Sequence, residues 1–144
     1  MTVIEIPVRW GDMDAYGHIN NVQIVQLMEE ARVMVFGIPS GTGHLDDTSP
    51  RPRINLLAGV EDGVMTLISE HTVKYRRQLP YRGTPIRVEV GVTKVKGASV
   101  EISYRFYDDD AVAVQATSTM VFVNQNTGMP VRLNEHQRAA LANH

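Results

Sequence analysis

The sequence predicts an α+β fold in which an antiparallel sheet of about five strands wraps around one long central helix. The first observation behind this prediction is a stretch with helical spacing, residues 21–36, that is apolar on two sides. The second is a series of later stretches in which apolar and polar residues alternate, as in strands that bury one face. A sheet curled around the helix would bury both surfaces.

The chain begins with a predicted strand. Ile4, Ile6, Val8 and Trp10 alternate with polar residues and Pro7, and this period of two is typical of a strand with one buried face. Because proline cannot donate a hydrogen bond to a neighbouring strand, the strand should lie at the edge of the sheet or direct that position outward.

A turn rich in acidic and glycine residues follows the strand. Asp12 and Asp14 flank a single residue, and Gly11 and Gly17 allow sharp turns on either side. At least one carboxylate could therefore be held near the start of the next helix. Three interpretations stay open: a turn with solvated acids, a carboxylate acting as general base or nucleophile, and a calcium loop. The calcium loop is the weakest, because Tyr16 stands where an oxygen ligand belongs.

The helix after this turn should begin at Asn21. Asn20 and Gln23 have the spacing of a capping-box variant. Such a cap would leave the first-turn N–H groups of Asn21 and Val22 free to meet negative charge.

Helical spacing continues from Asn21 to Phe36, and Gly37 with Pro39 should end the helix. One apolar stripe and a second strip on the opposite side predict a helix that is buried on both sides. The stripe comprises Ile24, Leu27, Met28, Ala31, Met34 and Val35, and the strip Val22, Val25, Val33 and Phe36.

Two features near this helix have alternative interpretations. Glu29 and Arg32 are interpreted as an ordinary helical ion pair, with a role for Glu29 or Glu30 in orienting the site as the alternative. Residues 39–55 show no periodicity and form either a cover over a ligand pocket or a surface excursion.

The remaining chain reads as antiparallel sheet followed by a short helix. Turns are predicted at residues 96–97 and 108–110. A terminal helix is predicted over residues 134–141. The four strands should cover about 64–77, 86–92, 100–106 and 112–123.

Composition narrows the class of protein. A chain of 144 residues is predicted to form one domain, residues 1–144. Its net charge of -2 gives no electrostatic case for binding nucleic acid or an anionic membrane. It has no cysteine, which excludes disulfides and thiolate chemistry. No signal segment or membrane span is evident, so we expect a cytoplasmic protein, and no motif indicates a metal or a cofactor.

Three segments carry a resemblance to a known family. Residues 9–21 read RWGDMDAYGHINN, residues 28–32 read MEEAR, and residues 75–83 read YRRQLPYRG. These segments, and the order of elements over nearly the whole chain, resemble the hotdog-fold acyl-CoA thioesterases of the hydroxybenzoyl-CoA type. Residues 17–21 have the pattern Gly-His-x-Asn-Asn, which resembles the branch of that family acting on fatty or unassigned acyl-CoAs. The resemblance implies a hotdog fold that usually forms homodimers, often paired into homotetramers.

The resemblance also implies roles for individual residues. Asp14 would attack the thioester or activate water, and the backbone N–H at or beside Asn21 would bind the oxyanion. Independently of the resemblance, His18 is close in sequence to both acids and is a further catalytic candidate, as a general base or a metal ligand, with a structural hydrogen-bonding role as the alternative. The substrate would be an acyl-CoA, with an acyl-carrier-protein thioester as the alternative. The candidate binding residues are Tyr16, Arg77 and Arg82.

Two other functions remain possible from the sequence. Hotdog-fold hydratases and dehydratases pair an Asp with a His, and Asp14 with His18 could mimic that pair. A non-catalytic acyl-CoA-binding module would bind the same ligand without turnover.

Overall fold

A computed structural model describes residues 1–38, 43–57, 60–142 and 144. It confirms an α+β fold with a five-stranded antiparallel sheet. Two α-helices lie within the described residues, the first of 16 residues and the second of 7. The elements in chain order are β1 (Thr2–Ile6), a 3-10 helix (Trp10–Asp12), α1 (Asn21–Phe36), β2 (Val64–Tyr75), β3 (Ile86–Val95), β4 (Ser99–Asp108), β5 (Ala111–Asn124) and α2 (Glu135–Leu141).

The strand order in the sheet is β1-β3-β4-β5-β2, so β1 and β2 are its two edges. This confirms the edge position predicted for the first strand. β2 is the longer edge, with 12 residues, and it contains no proline. Its backbone hydrogen-bonding groups on one side therefore have no partner strand among the described residues.

β1 is shorter than its sequence pattern indicates. It ends at Ile6, directly before Pro7, and Trp10 lies in the 3-10 helix with 73% of its surface exposed. The prediction that Val8 and Trp10 continue the strand is therefore wrong. The chain leaves the sheet at the proline and turns towards the acidic motif.

α1 begins and ends at the predicted residues. Its first apolar stripe is largely buried, including Ile24, Met28 and Val35, and the helix contacts β1 and β3. Gly37 follows the helix with a φ of +89°, and a Cβ at that position would lie 3.2 Å from the Cγ of Pro52. Glycine therefore satisfies both the left-handed backbone and the close approach of the later chain.

The second apolar strip of α1 is only partly covered. Phe36 is buried, but Val22 is 70% and Val25 38% exposed. The prediction that the helix is buried along both sides is therefore wrong over its N-terminal half. Val22 and Val25 line a cavity between α1 and β2, so their apolar surface faces an open space.

Other boundaries differ by a few residues. β2 ends at Tyr75, two residues before the predicted end. α2 is capped by Asn134 as predicted.

In the 39–55 segment, residues 39–42 lie outside the described residues, and the cover role stays a prediction. Ile54 is tied to the helix by its N–H, which donates to the carbonyl of Val35 over 2.8 Å. No described helix is long and apolar enough to cross a membrane.

Candidate functional site

Asp12 is a structural residue of the acidic turn. Its side chain is buried, and its two oxygens accept hydrogen bonds from the backbone N–H and the guanidinium of Arg9 at 2.8 and 2.9 Å. Burial alone would raise the pKa of Asp12, but the side-chain and backbone hydrogen bonds from Arg9 outweigh it and lower the pKa. Its carboxylate is thus committed to holding the 3-10 turn.

Asp14 has a different environment. Its Oδ1 accepts hydrogen bonds from the backbone N–H groups of Tyr16 and His18, at 2.8 and 3.1 Å. These bonds lower the pKa of Asp14, and the nearby His18 acts in the same direction. Its Oδ2 accepts no hydrogen bond from any described residue. One oxygen is therefore held by the backbone while the other can act on a ligand as an ionised carboxylate.

The loop that holds Asp14 is closed by backbone hydrogen bonds. The N–H of Asp14 donates to the carbonyl of His18 over 2.7 Å, and Gly17, with a φ of +83°, makes the turn between them. The N–H of Ile19 donates to the carbonyl of Leu79 over 2.7 Å, which joins the loop to the segment after β2. His18 contacts Asp14 through the backbone; within the described chain its ring donates no hydrogen bond to that carboxylate.

The start of α1 leaves one N–H group available. The Oδ1 of Asn20 accepts from the N–H of Val22 over 3.0 Å. The predicted capping box with Gln23 is therefore wrong, and the Val22 N–H is not free. The Asn21 N–H has no acceptor among the residues that the structure describes. Asn21 is also exposed, so this N–H can donate to a bound oxygen.

Asp14, Asn21 and Arg77 line one cavity, which we call the Asp14 cavity. It has a volume of about 560 Å³ and also includes Tyr75 and Leu79. The Tyr75 hydroxyl donates to the carbonyl of Asn21 over 3.1 Å, which links the end of β2 to the first turn of α1. The structure thus brings a carboxylate, a helix N–H and an arginine to one place.

Two other predicted residues lie apart from this cavity. Arg82 forms an ion pair with Asp108, with 3.0 Å between the guanidinium and the carboxylate, and it lines a separate cavity near the turn after β4. Tyr16 is 84% exposed, and its described contact with the site is the backbone hydrogen bond to Asp14. Their roles in substrate binding stay predictions.

A larger cavity lies between α1 and β2, and we call it the α1–β2 cavity. Its volume is about 750 Å³. It begins at Val22, next to Asn21 of the Asp14 cavity, and runs along the helix to Gly37. Its walls are mainly apolar, including Val25, Leu56 and Leu67.

A buried polar network that sequence analysis missed reaches the α1–β2 cavity at its two ends, Arg32 and His71. Arg32 donates to the Tyr104 hydroxyl over 3.2 Å, and Tyr104 donates to the Ser118 hydroxyl over 3.0 Å. Ser118 in turn lies 2.8 Å from Nδ1 of His71. In the sequence, only the spacing of Glu29 and Arg32 indicated a contact. That predicted ion pair is present, with 3.9 Å between the Arg32 guanidinium and the Glu29 carboxylate. The other partners come from three strands and share no motif.

Comparison with known proteins places the chain in a family. The profile described as the thioesterase-like superfamily matches residues 8–141. No curated protein matches the chain.

Solved structures with the same fold are distant in sequence. A predicted thioesterase from Bacillus stearothermophilus is 23% identical, with a TM-score of 0.75, and the match covers 99% of this chain and 94% of that one. A thioesterase from Thermus thermophilus complexed with coenzyme A and Zn is 21% identical, with a TM-score of 0.71 and coverage of 98% and 91%. The DHNA-CoA thioesterase from Staphylococcus aureus is 17% identical, with a TM-score of 0.74 and coverage of 99% and 89%. At these identities the likeness establishes the fold.

Proposed function

The chain belongs to the thioesterase-like superfamily, and from that premise we propose that it hydrolyses an acyl-CoA thioester to the free acid and coenzyme A. One observation carries the proposal: Asp14 and Asn21 line the same cavity. Among the described residues the Oδ2 of Asp14 accepts no hydrogen bond and the N–H of Asn21 has no acceptor. Thioester hydrolysis needs a group that delivers an oxygen nucleophile and a donor for the oxyanion that forms.

In the proposed mechanism the thioester carbonyl oxygen accepts a hydrogen bond from the Asn21 N–H. Asp14 then attacks the carbonyl carbon directly, or it removes a proton from a water molecule that attacks. Negative charge develops on the carbonyl oxygen, where the N–H and the positive end of the helix dipole stabilise it. The carbon–sulfur bond then breaks and the coenzyme A thiolate leaves. In the water route the thiolate takes up the proton that Asp14 removed, and the free acid is formed directly. In the direct route the thiolate takes a proton from solvent, and water then hydrolyses the acyl–Asp14 anhydride to give the free acid and restore the Asp14 carboxylate.

His18 would act mainly on Asp14. Its backbone N–H holds Oδ1 over 3.1 Å, so Oδ2 keeps a defined direction. We assign His18 to positioning Asp14 and retain Tyr16 as a substrate contact from the first turn.

The basic residues would bind the nucleotide end of coenzyme A. Arg77 lies in the Asp14 cavity, where its guanidinium could donate charge-assisted hydrogen bonds to phosphate. Arg82 is already paired with Asp108, so a phosphate there would have to share or replace that carboxylate. The Thermus thermophilus structure, a thioesterase complexed with coenzyme A, supports coenzyme A as the carrier.

The α1–β2 cavity would hold the acyl group. It is largely apolar, it starts one residue after Asn21, and its volume suits a small-molecule chain. We retain the hydroxybenzoyl-CoA type and its Gly-His-x-Asn-Asn branch as the proposed subgroup.

We also propose a homodimer or homotetramer, a single domain over residues 1–144 and a cytoplasmic location. Assembly is supported by the long free edge of β2, on which Leu67 and Tyr75 are 49% and 51% exposed. An uncovered edge of this length favours pairing with a second copy.

Hydrolysis of a panel of acyl-CoAs, with Asp14→Asn as the central variant, tests the proposal. We expect turnover by Asp14→Asn to fall by at least about a hundredfold, because the amide is neither base nor nucleophile. Asp46→Asn is a matched control, since Asp46 also accepts a hydrogen bond from a backbone N–H two residues on, over 2.8 Å, in an exposed turn. Near-normal turnover by Asp14→Asn would show that the catalytic assignment is wrong.

A further inference from the structure

The polar network that joins Arg32 to His71 has one direction of hydrogen bonding. Arginine can only donate, so the Tyr104 oxygen accepts from Arg32 and its proton goes to Ser118. Ser118 is 1% exposed, so its own proton needs an acceptor. Among the described residues, Nδ1 of His71 at 2.8 Å fills that role.

This direction determines the state of His71. If Nδ1 accepts a hydrogen bond, the proton of the neutral ring is on Nε2. Burial and, next, the positive charge of Arg32 lower the pKa of His71, while Glu29 acts in the opposite sense. The direction of the hydrogen bonds and the lowered pKa therefore both favour the neutral ring over the imidazolium. His71 therefore offers a donor, and not an acceptor, from its remaining ring nitrogen.

Among the described residues, Arg32 has more N–H donors than acceptors. It is 9% exposed and makes one side-chain hydrogen bond to a described residue, the bond to Tyr104. Its ion pair with Glu29 is long, at 3.9 Å, and the Glu29 side chain is 68% exposed. A largely buried cation with a distant and exposed counter-ion is poorly neutralised.

Arg32, His71 and Glu29 all line the α1–β2 cavity. The described lining is otherwise mainly apolar, with Gln26 and Thr66 as its remaining polar side chains. Two donors and one displaceable carboxylate thus lie on its wall. This is the arrangement that receives a carboxylate, since an anion can take the place of Glu29 and accept from Arg32.

The position along the helix gives the size of the ligand. Arg32 is eleven residues after Asn21, which at 1.5 Å per residue is about 16 Å along the axis. Long side chains in a helix point back towards its N-terminus, so the guanidinium lies nearer to Asn21 than its Cα does. A medium-length acyl chain can bridge this interval.

We propose that Arg32 and His71 bind a carboxylate at the far end of the acyl chain, so that the preferred substrate is the coenzyme A thioester of a medium-length dicarboxylic acid. This inference rests on the proposed thioesterase function, because it places the thioester at Asn21. It adds the chemical class of the acyl group.

The test compares two thioesters of equal chain length, sebacoyl-CoA and decanoyl-CoA. The quantity measured is the ratio of their kcat/KM values, which a purely structural role for Arg32 would not change. We expect the wild type to prefer sebacoyl-CoA by about tenfold or more, the size expected for a hydrogen bond to a charged group. Equal rates or a preference for decanoyl-CoA would overturn the inference.

Three variants sharpen the comparison. Arg32→Met should abolish the preference, because the terminal carboxylate of sebacoyl-CoA then has no guanidinium to bind. Glu29→Gln should increase the preference, because it removes the competing carboxylate, and this exposed position should not affect folding. Arg105→Met is the matched control, since Arg105 also pairs with a glutamate but lies outside the cavity. A preference that Glu29→Gln lowers would contradict the inference even if Arg32→Met did not fold.

Failure of the two proposals can be told apart. If neither thioester is hydrolysed, the thioesterase function fails, and calorimetric binding of free sebacate against decanoate then decides the inference. Tighter binding of sebacate, weakened by Arg32→Met and strengthened by Glu29→Gln, would support it. Equal binding of the two acids would overturn it.

Discussion

The Tyr75 hydroxyl donates a hydrogen bond of 3.1 Å to the backbone carbonyl of Asn21. This bond joins the last residue of β2 to the first residue of α1. The Asn21 carbonyl belongs to the peptide unit that follows the one carrying the Asn21 N–H, the proposed oxyanion donor. The bond should therefore hold the first turn of α1 and, with it, the orientation of that N–H. Residues 54 apart in the chain are thus coupled at the proposed reaction centre.

We expect Tyr75→Phe to lower kcat/KM for acyl-CoA by about twofold to tenfold, the value of one hydrogen bond. The loss should fall mainly on kcat, since a shifted N–H stabilises the oxyanion less well. Tyr107→Phe is the matched control, because its hydroxyl lies 3.5 Å from Glu89, outside the Asp14 cavity. Equal losses in both variants would argue against a specific role for Tyr75.

The pH dependence of activity should reflect the lowered pKa of Asp14. Its ionised form is required, so kcat/KM should fall only as the pH drops through the pKa of Asp14 in the folded protein. Hydrogen bonds from Tyr16 and His18 hold this pKa below its usual range, which is about 3.9 for aspartate. The acidic limb of the pH profile should therefore lie below about pH 4. A limb near neutral pH would indicate that a group other than Asp14 controls activity.

Asp12 should matter for stability more than for turnover. Its pKa is lowered in the folded protein, so its contribution is fully present above the unfolded pKa of about 3.9 and is lost as the pH falls through the folded value. We expect Asp12→Asn to lower the melting temperature by a few degrees at neutral pH. The difference from the wild type should shrink below about pH 4. A pH-independent difference would point to a packing effect instead.

The two candidate phosphate-binding arginines should differ. We expect Arg77→Ala to raise the Michaelis constant for acyl-CoA several-fold with little change in kcat, as when binding is lost equally from the ground and transition states. Arg82→Ala should have the smaller effect, because Asp108 already holds Arg82 at 3.0 Å.

A short thioester that lacks the nucleotide is the control substrate for these two variants. Its hydrolysis should barely change in either. If Arg77→Ala slowed both substrates equally, the arginine would be structural, and Lys94, Lys96, Arg51 and Arg53 would become the next candidates for binding phosphate.

The free edge of β2 predicts assembly in solution. Light scattering over a dilution series should give the mass of a dimer or a larger even-numbered assembly. If β2 forms the contact, its backbone amides should exchange hydrogen more slowly as the protein concentration rises, and those of β1 should not. A mass of one chain at every dilution would refute the prediction.

Local patterns predicted much of the fold. The helix over residues 21–36 has the predicted bounds because its spacing and its end at Gly37 are local signals. The four later strands lie close to their predicted positions because alternation repeats within each strand. β1 was predicted too long, since Trp10 continues the alternation by chance after Pro7 has already ended the strand.

The candidate site was only partly visible in the sequence. Asp14 and Asn21 lie within one short motif, and the structure brings them into one cavity. Arg82 was grouped with Arg77 because both flank the same turn, yet their side chains line different cavities. Spacing in the chain does not report on which side of a turn a side chain lies.

The sequence by itself determined the secondary structure and the acidic turn, because periodicity, caps and glycine positions act over a few residues. Only the tertiary structure decided that α1 leaves Val22 and Val25 facing a cavity. It alone joined Arg32, Tyr104, Ser118 and His71 into one network, through hydrogen bonds that span 72, 14 and 47 residues. Such contacts depend on the order of the strands in the sheet and on where the helix packs. Residues so far apart in the chain form no repeating sequence pattern from which their contact could be predicted.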